Sequence, residues 1–384
     1  VVSFDFATAG RVMFGLGRVA EVGAAARAYG RQALVIGGRS PLRADWVARL
    51  LEEAGVASVR LVIAQEPSIE HAVAGAALAR SSKCDVVVAV GGGSVIDSAK
   101  AIAALATNDG DVFDYLEVIG KGQPLVRASL PVIAVPTTAG TGSEATRNAV
   151  LSSSAHRVKV SLRSPTMLPC VAIVDPELTV DLPPAMTAAT GLDALTQLIE
   201  PYVSTRSNPM ADALCVAGIA RAAVALPRAF RDGTDLGARS DMALASLWGG
   251  IALANAGLGA VHGLAGPIGG MFKAPHGAVC AALLPHVMAV NLDALARVGD
   301  ARALARYDEV ARLVTGRPSA TGPDGVTWVE QLVRALAVPR LAAWGLGPGD
   351  VDALIEPARR ASSMKANPIA LSPEQLREIL VRAL

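Results

Sequence analysis

Through its first half the chain repeats one pattern: a short apolar run rich in Val and Ile, a polar or glycine break, then a longer Ala-rich stretch with helical spacing. The apolar runs are 32–36, 59–63, 86–90, 131–136 and 171–176, with a shorter one at 158–161. Runs of this kind, apolar at every position, predict strands buried on both faces, as in a parallel sheet. Helical spacing occupies 19–29, a segment ending at Leu51, and 69–81. Strands alternating with helices predict a doubly wound α/β domain, with 158–161 and 171–176 as its last strands. Around 178–184 the character changes. From there helical patterns dominate, at 185–202, 210–230, 238–255, 301–314, 328–336 and 373–384. The boundary falls near Thr179, giving an α/β domain over 1–179 and an all-helical domain over 180–384.

Composition narrows the class. The 384 residues are 52% hydrophobic and 18% charged, which predicts a globular protein with large cores. No stretch of about 18 apolar residues free of Gly, Pro and charge occurs, so no membrane partner is expected. A net charge of +1, with Lys and Arg scattered, gives no field for nucleic acid. The start, Val1-Val2-Ser3-Phe4-Asp5, lacks the parts of a signal peptide, and a cytoplasmic location is expected. Cys84, Cys170, Cys215 and Cys280 are far apart in sequence. They read as free thiols, with neither disulfides nor a cysteine metal site expected, and with no nucleophile at Cys280.

Chemistry concentrates in three places. The run at 86–90 leads into Gly91-Gly92-Gly93-Ser94 and then a helical pattern. A strand, a glycine turn and a helix start bring free backbone amides to a phosphate. The competing reading is a plain helix start, because Ser94 and Asp97 stand at capping-box spacing. A second loop, Pro136-Thr137-Thr138-Ala139-Gly140-Thr141-Gly142-Ser143-Glu144, follows the next strand, where ligands bind in such folds. The third is divided. Asp193 and Gln197 stand four apart on one helical face, and His262, His276 and His286 fall in one window of a chain with five histidines. Two imidazoles and a carboxylate suit iron(II) or zinc, while isolated structural roles are the alternative.

Taken together these motifs closely resemble the iron-containing (group III) alcohol dehydrogenase family, with its dehydroquinate synthase-like fold, over essentially the whole length. Gly191-Leu192-Asp193-Ala194-Leu195-Thr196, Ala274-Pro275-His276-Gly277 and Leu284-Pro285-His286 complete the set. The resemblance implies that Gly91, Gly92, Gly93 and Ser94 cradle a pyrophosphate and that Asp97 lies near the nicotinamide ribose. It implies that Thr137, Thr138, Thr141 and Ser143 line the dinucleotide, with Lys159 near it and Leu178 on its adenine side. Asp193, His262 and His276 match three of four metal ligands, for Fe2+ or Zn2+. A homodimer acting on a small alcohol or aldehyde is implied as well.

This chain departs from the family pattern in three ways. Gln197 stands where the fourth ligand is usually histidine, and an amide oxygen is the poorer donor. That corner is left to a weakly bound Gln197, to a water it holds, or to no metal at all. Gly266 replaces a histidine that many members carry four residues after the one matching His262, which removes a candidate proton relay. Gly38, followed by Arg39 and Ser40, stands where NAD-preferring members often carry an acid. That exchange predicts acceptance of NADP(H) at least as well as NAD(H), against a solvated Arg39 and NAD. The expected activity is an NAD(P)-dependent alcohol dehydrogenase or aldehyde reductase with metal-assisted polarisation of the substrate oxygen. Maleylacetate reductase, or a reductase of another anionic carbonyl compound, is the enzymatic alternative. A non-catalytic protein with a degenerate metal site is the third.

Overall fold

Most of the apolar runs form strands of a single parallel sheet in the computed structural model, which describes residues 3–156 and 158–384. Val1 and Val2, on which the reading of the chain start partly rests, lie outside the described residues. The sheet strands are β1 (Arg11–Phe14), β2 (Gln32–Gly37), β3 (Ala57–Val62), β4 (Val86–Gly91), β5 (Val132–Pro136) and, after a hairpin, β8 (Val171–Val174). Their order is β1-β8-β5-β4-β2-β3. The hairpin, β6 (Asn148–Ser153) with β7 (Val158–Arg163), is antiparallel and separate. The run at 158–161 therefore belongs to this hairpin rather than to the main sheet. Neither β1 nor β6 is evident in sequence, because β1 has four residues at a sheet edge and β6 alternates half-buried with buried positions.

Alternation along the strands builds a core on each face. Ala33, Val35, Val86, Val88, Val90, Ile133 and Ile173 point to one side, where α1 (Val22–Arg27) and α2 (Pro41–Glu53) cover them. Leu34, Ile36, Val87, Ala89, Val132 and Ala134 point to the other, under α3 (Ile69–Ser81) and α4 (Gly93–Thr107). The expected helix at 19–29 is broken into a 3-10 turn, Arg18–Glu21, and α1. A one-turn α5 (Val112–Tyr115) packs with the hairpin against α3 and α4. These elements make one compact unit, Thr8–Thr138 with Gly142–Thr179.

The other unit takes in Ala139–Thr141, Val180–Leu384 and the chain start up to Ala7. It is helical: α6 (Pro184–Val203), α7 (Pro209–Arg231), α8 (Leu236–Ala256), α9 (Ala260–Met271), α10 (His276–Val298), α11 (Ala301–Thr315), α12 (Gly322–Ala335), α13 (Val351–Arg360) and α14 (Pro373–Ala383). Of these, α9, α10 and α13 are not foreseen by spacing. Gly263, Gly266, Gly269 and Gly270 with Pro267 give α9 poor helix propensity. α10 is apolar nearly all round, so it has no stripe to detect.

Among the described residues two helices, α7 and α10, are long and apolar enough to cross a membrane despite the broken runs noted above, and the bent pair α8–α9 would make a third span if taken together. Most of the α10 stretch and less than half of the α7 stretch are buried within the protein. Cys215, Ile219 and Leu226 of α7 and Val279, Leu283, Leu284 and Met288 of α10 are buried in one cluster with α6.

Candidate metal centre

The centre is assembled where α6, α9 and α10 meet, and tight approaches fix its geometry. A Cβ on Gly277 would stand 2.3 Å from the Ala189 carbonyl of α6, so the glycine lets α10 reach α6 directly after His276. A Cβ on Gly259 would stand 2.8 Å from Glu200 Oε1 and 2.9 Å from Asn367 Oδ1. With only hydrogen there, these two side chains reach the free amides that open α9. Glu200 Oε1 accepts from the Val261 N–H at 2.7 Å and Asn367 Oδ1 from the Ala260 N–H at 3.1 Å.

Glu200 does a second job. Its Oε2 accepts from His262 Nδ1 at 2.6 Å, which turns Nε2 toward Asp193. His262 Nε2 lies 3.4 Å from Asp193 Oδ1, and His276 Nε2 lies 3.8 Å from the same oxygen. Cys280, one turn beyond His276 on α10, puts Sγ 3.7 Å from His276 Nε2 and 3.8 Å from His262 Nε2. The four donor atoms of Asp193, His262, His276 and Cys280 all lie within 4.8 Å of one another. Cys280 thus stands among the candidate donors, where no cysteine was expected, because helical spacing turns its thiol onto the face that carries His276.

Electrostatically the cluster is poised for a cation. Burial pushes the Asp193 carboxyl up, but His276, and then polar contacts and charge from His262 with a smaller part from Gln197, hold it below its usual value. Burial pulls His262 down, yet Cys280, Glu200 and Asp193 hold it well above the ordinary imidazole range. Cys280 and, against burial, Asp193 raise His276 as well. Asp193 Oδ1 and Gln197 Oε1 are buried without a hydrogen-bond partner, and such orphans are costly unless something satisfies them. Orphaned oxygens beside two imidazoles fit a divalent ion.

Not every expected residue joins this cluster. His286, on the same helix, lines a pocket of about 250 Å³ with Glu330, Arg334 and Arg340, and burial lowers its pKa. Gly266 lies one turn after His262 on α9, and a Cβ there would meet nothing within 4 Å. Glu200 and Cys280 escape the sequence reading, although both leave a signal. Asp193, Gln197 and Glu200 form a polar stripe at i, i+4 and i+7 of an apolar helix, and Cys280 follows His276 by four.

In the α/β unit the expected cofactor residues gather around the carboxyl ends of β2, β4 and β5. The sheet reverses its winding between β2 and β4, the place where ligands bind in open sheets. Gly38, Arg39 and Ser40 follow β2, with Arg39 and Ser40 exposed. Gly91 ends β4, Gly92 is the extended N-cap of α4, and Gly93 and Ser94 open the helix. No side chain caps α4, which removes the capping-box reading of Ser94 and Asp97. Asp97 is engaged elsewhere: it accepts from Ser143 Oγ at 2.5 Å and from the Val150 N–H at 2.9 Å, and pairs with buried Lys100 at 3.0 Å. Thr137 and Thr138 follow β5, whereas Thr141 packs with the helical unit. Lys159 of β7 pairs with Glu66 at 2.8 Å, and Leu178 is buried under the sheet with α1 and α2.

Comparison with known proteins gives this geometry a family. The family model described as iron-containing alcohol dehydrogenase matches residues 9–176, and the model for the C-terminal part of that family matches 187–384. The NAD-dependent methanol dehydrogenase of Bacillus methanolicus is 34% identical over 97% of each chain. Alcohol dehydrogenase 4 of Saccharomyces cerevisiae is 39% identical, over 67% of this chain and 66% of its own length. Among solved structures, a 1,3-propanediol oxidoreductase superposes over 100% of both chains with a TM-score of 0.92 at 32% identity. The chain belongs to the iron-containing alcohol dehydrogenase family.

Proposed function

We propose that the protein catalyses reversible hydride transfer between a small alcohol or aldehyde and NAD(H) or NADP(H). The observation that carries this reading is the buried Asp193–His262–His276 cluster with its orphaned carboxylate oxygen, in a chain whose two halves both match the family. Asp193, His262 and His276 would hold a divalent ion, iron or zinc. When bound, that ion supplies Lewis acidity toward the substrate oxygen, and the nicotinamide supplies or takes the hydride.

The chain's own residues do the rest. Glu200 keeps the His262 ring turned so that Nε2 faces Asp193. Gln197 adds to His276 and His262 in holding the Asp193 carboxyl below its usual value. Apolar residues of α6, α9 and α10 bury Asp193, His262 and Cys280, which strengthens the charge interactions among them, while His276 is partly exposed. Gly266 supplies neither acid nor bulk, so the alcohol proton leaves by another route. On the cofactor side Gly91 to Ser94 bind the pyrophosphate through backbone amides, while Thr137, Thr138, Thr141 and Ser143 line the dinucleotide. Asp97 fixes the Ser143 loop against α4, and Lys159 and Leu178 border the cofactor. Arg39 beside Gly38 favours a 2′-phosphate, so NADPH is used at least as well as NADH.

A panel of alcohols and aldehydes with NADH and NADPH, before and after chelation, tests the reading. It expects turnover with both cofactors, loss on chelation and recovery with Fe2+ or Zn2+. Activity indifferent to chelation and metal return, or none with any pair, contradicts it.

A further inference from the structure

The resemblance leaves the fourth metal corner to a weakly bound Gln197, to a water it holds, or to no metal. The distances among the other donors offer a further candidate. For bonds of about 2.0 to 2.1 Å to nitrogen or oxygen and about 2.3 Å to sulfur, a tetrahedron has N–O edges of about 3.3 Å and N–S edges of about 3.6 Å. The His262–Asp193 edge is 3.4 Å and the two histidine–Cys280 edges are 3.8 and 3.7 Å. The His276–Asp193 edge is longer, at 3.8 Å, and no donor pair is more than 4.8 Å apart, so the sulfur stands within reach of an ion shared by all four.

We propose that Cys280 Sγ is the fourth protein donor of the centre, in an O, N, N, S set with Asp193, His262 and His276. This rests on the reading of the cluster as a metal site. Two further points support a cation held with the thiol. Asp193 Oδ1 is buried, without a hydrogen-bond partner, and among those donors, so the space between them calls for a cation. Charge supplies the second. One carboxylate leaves a bound dication with a net positive charge in a largely buried site, whereas a carboxylate and a thiolate neutralise it. The Cys280 thiol gives up its proton to solvent as the sulfur–metal bond forms. Gln197, whose Oε1 is also buried without a partner, then stands beside the donor set, its amide acting on the Asp193 carboxylate. A thiolate donor makes the set one that zinc takes readily.

Cobalt substitution reads the sulfur directly. The metal-free full-length protein is titrated with Co2+, and absorption is followed for Cys280→Ser, Cys280→Ala and the unaltered chain. The expected result is a near-ultraviolet sulfur-to-cobalt charge-transfer band in the unaltered protein, absent from both variants. Zinc affinity should fall by more than about tenfold in the variants. Adding Gln197→His to Cys280→Ser should recover affinity without the band. X-ray absorption of the zinc-loaded unaltered protein needs no variant and should show one sulfur at about 2.3 Å. Bound cobalt without the band, no sulfur in the zinc shell, or variants with undiminished affinity would overturn the proposal while leaving the metal site standing. Failure of the unaltered protein to bind either metal would overturn both.

Discussion

Glu200 shows how much a single carboxylate can organise. One oxygen closes the opening turn of α9 and the other orients His262, so helix start and ligand direction are set together. Removing it leaves the Val261 amide unpaired and the imidazole free to rotate. Glu200→Ala is therefore expected to weaken zinc binding about 10- to 100-fold, as for other partners that orient a ligand. Competitive titration with a chromophoric chelator measures this. Unchanged affinity would mean that His262 is held by packing alone. Such a residue is hard to find from sequence, since its importance depends on α9 lying across α6. Asp193 and His276 were legible because their types and surroundings already speak of ligation. Cys280 was not: a cysteine in an apolar run reads as core until its helix and its neighbour at i−4 are known.

At the scale of elements, the junction of α6 with α10 depends on Gly277. Within a helix Ala is ordinarily better than Gly by about 1 kcal/mol. Here a methyl would press on the Ala189 carbonyl, a backbone atom that cannot step aside. The sign should therefore reverse, with Gly277→Ala destabilising by about 1–3 kcal/mol and lowering metal affinity as Asp193 and His276 separate. Thermal unfolding with and without zinc checks both, and a stabilised variant would refute the close-approach argument. Elements were legible where one face or one period dominates. β2, β4 and β5 are continuous apolar runs, and Ile69–Ser81 carries both its cap, Ser68, and its spacing. Where local propensity opposes the fold, as in α9, or where burial on every side erases the stripe, as in α10, tertiary packing decides and sequence patterns fall silent.

At the scale of the molecule, each unit carries its own core and its own chemistry. The α/β unit also buries Glu144, whose carboxyl is pushed up to about 7 by desolvation, against its backbone hydrogen bond and Lys100. Because that value lies above the unfolded one, the contribution to stability is fully present below about pH 4.5 and is lost as pH rises through about 7. The loss is on the order of 3 kcal/mol. Glu144→Gln should remove it. Between pH 5 and pH 8 the urea midpoint of the unaltered protein should fall relative to the variant, and parallel behaviour would contradict the assignment.

The division of labour between the units is the central claim, and Asp193→Ala tests it most directly. Metal content by elemental analysis, alcohol turnover, and NADPH binding by fluorescence are measured on the same preparation. The expected result is loss of the metal and of turnover, with NADPH affinity within about twofold of the unaltered protein, since all but Thr141 of the proposed cofactor residues lie in the other unit. Turnover persisting in the metal-free variant would contradict the account, as would loss of NADPH binding together with the metal.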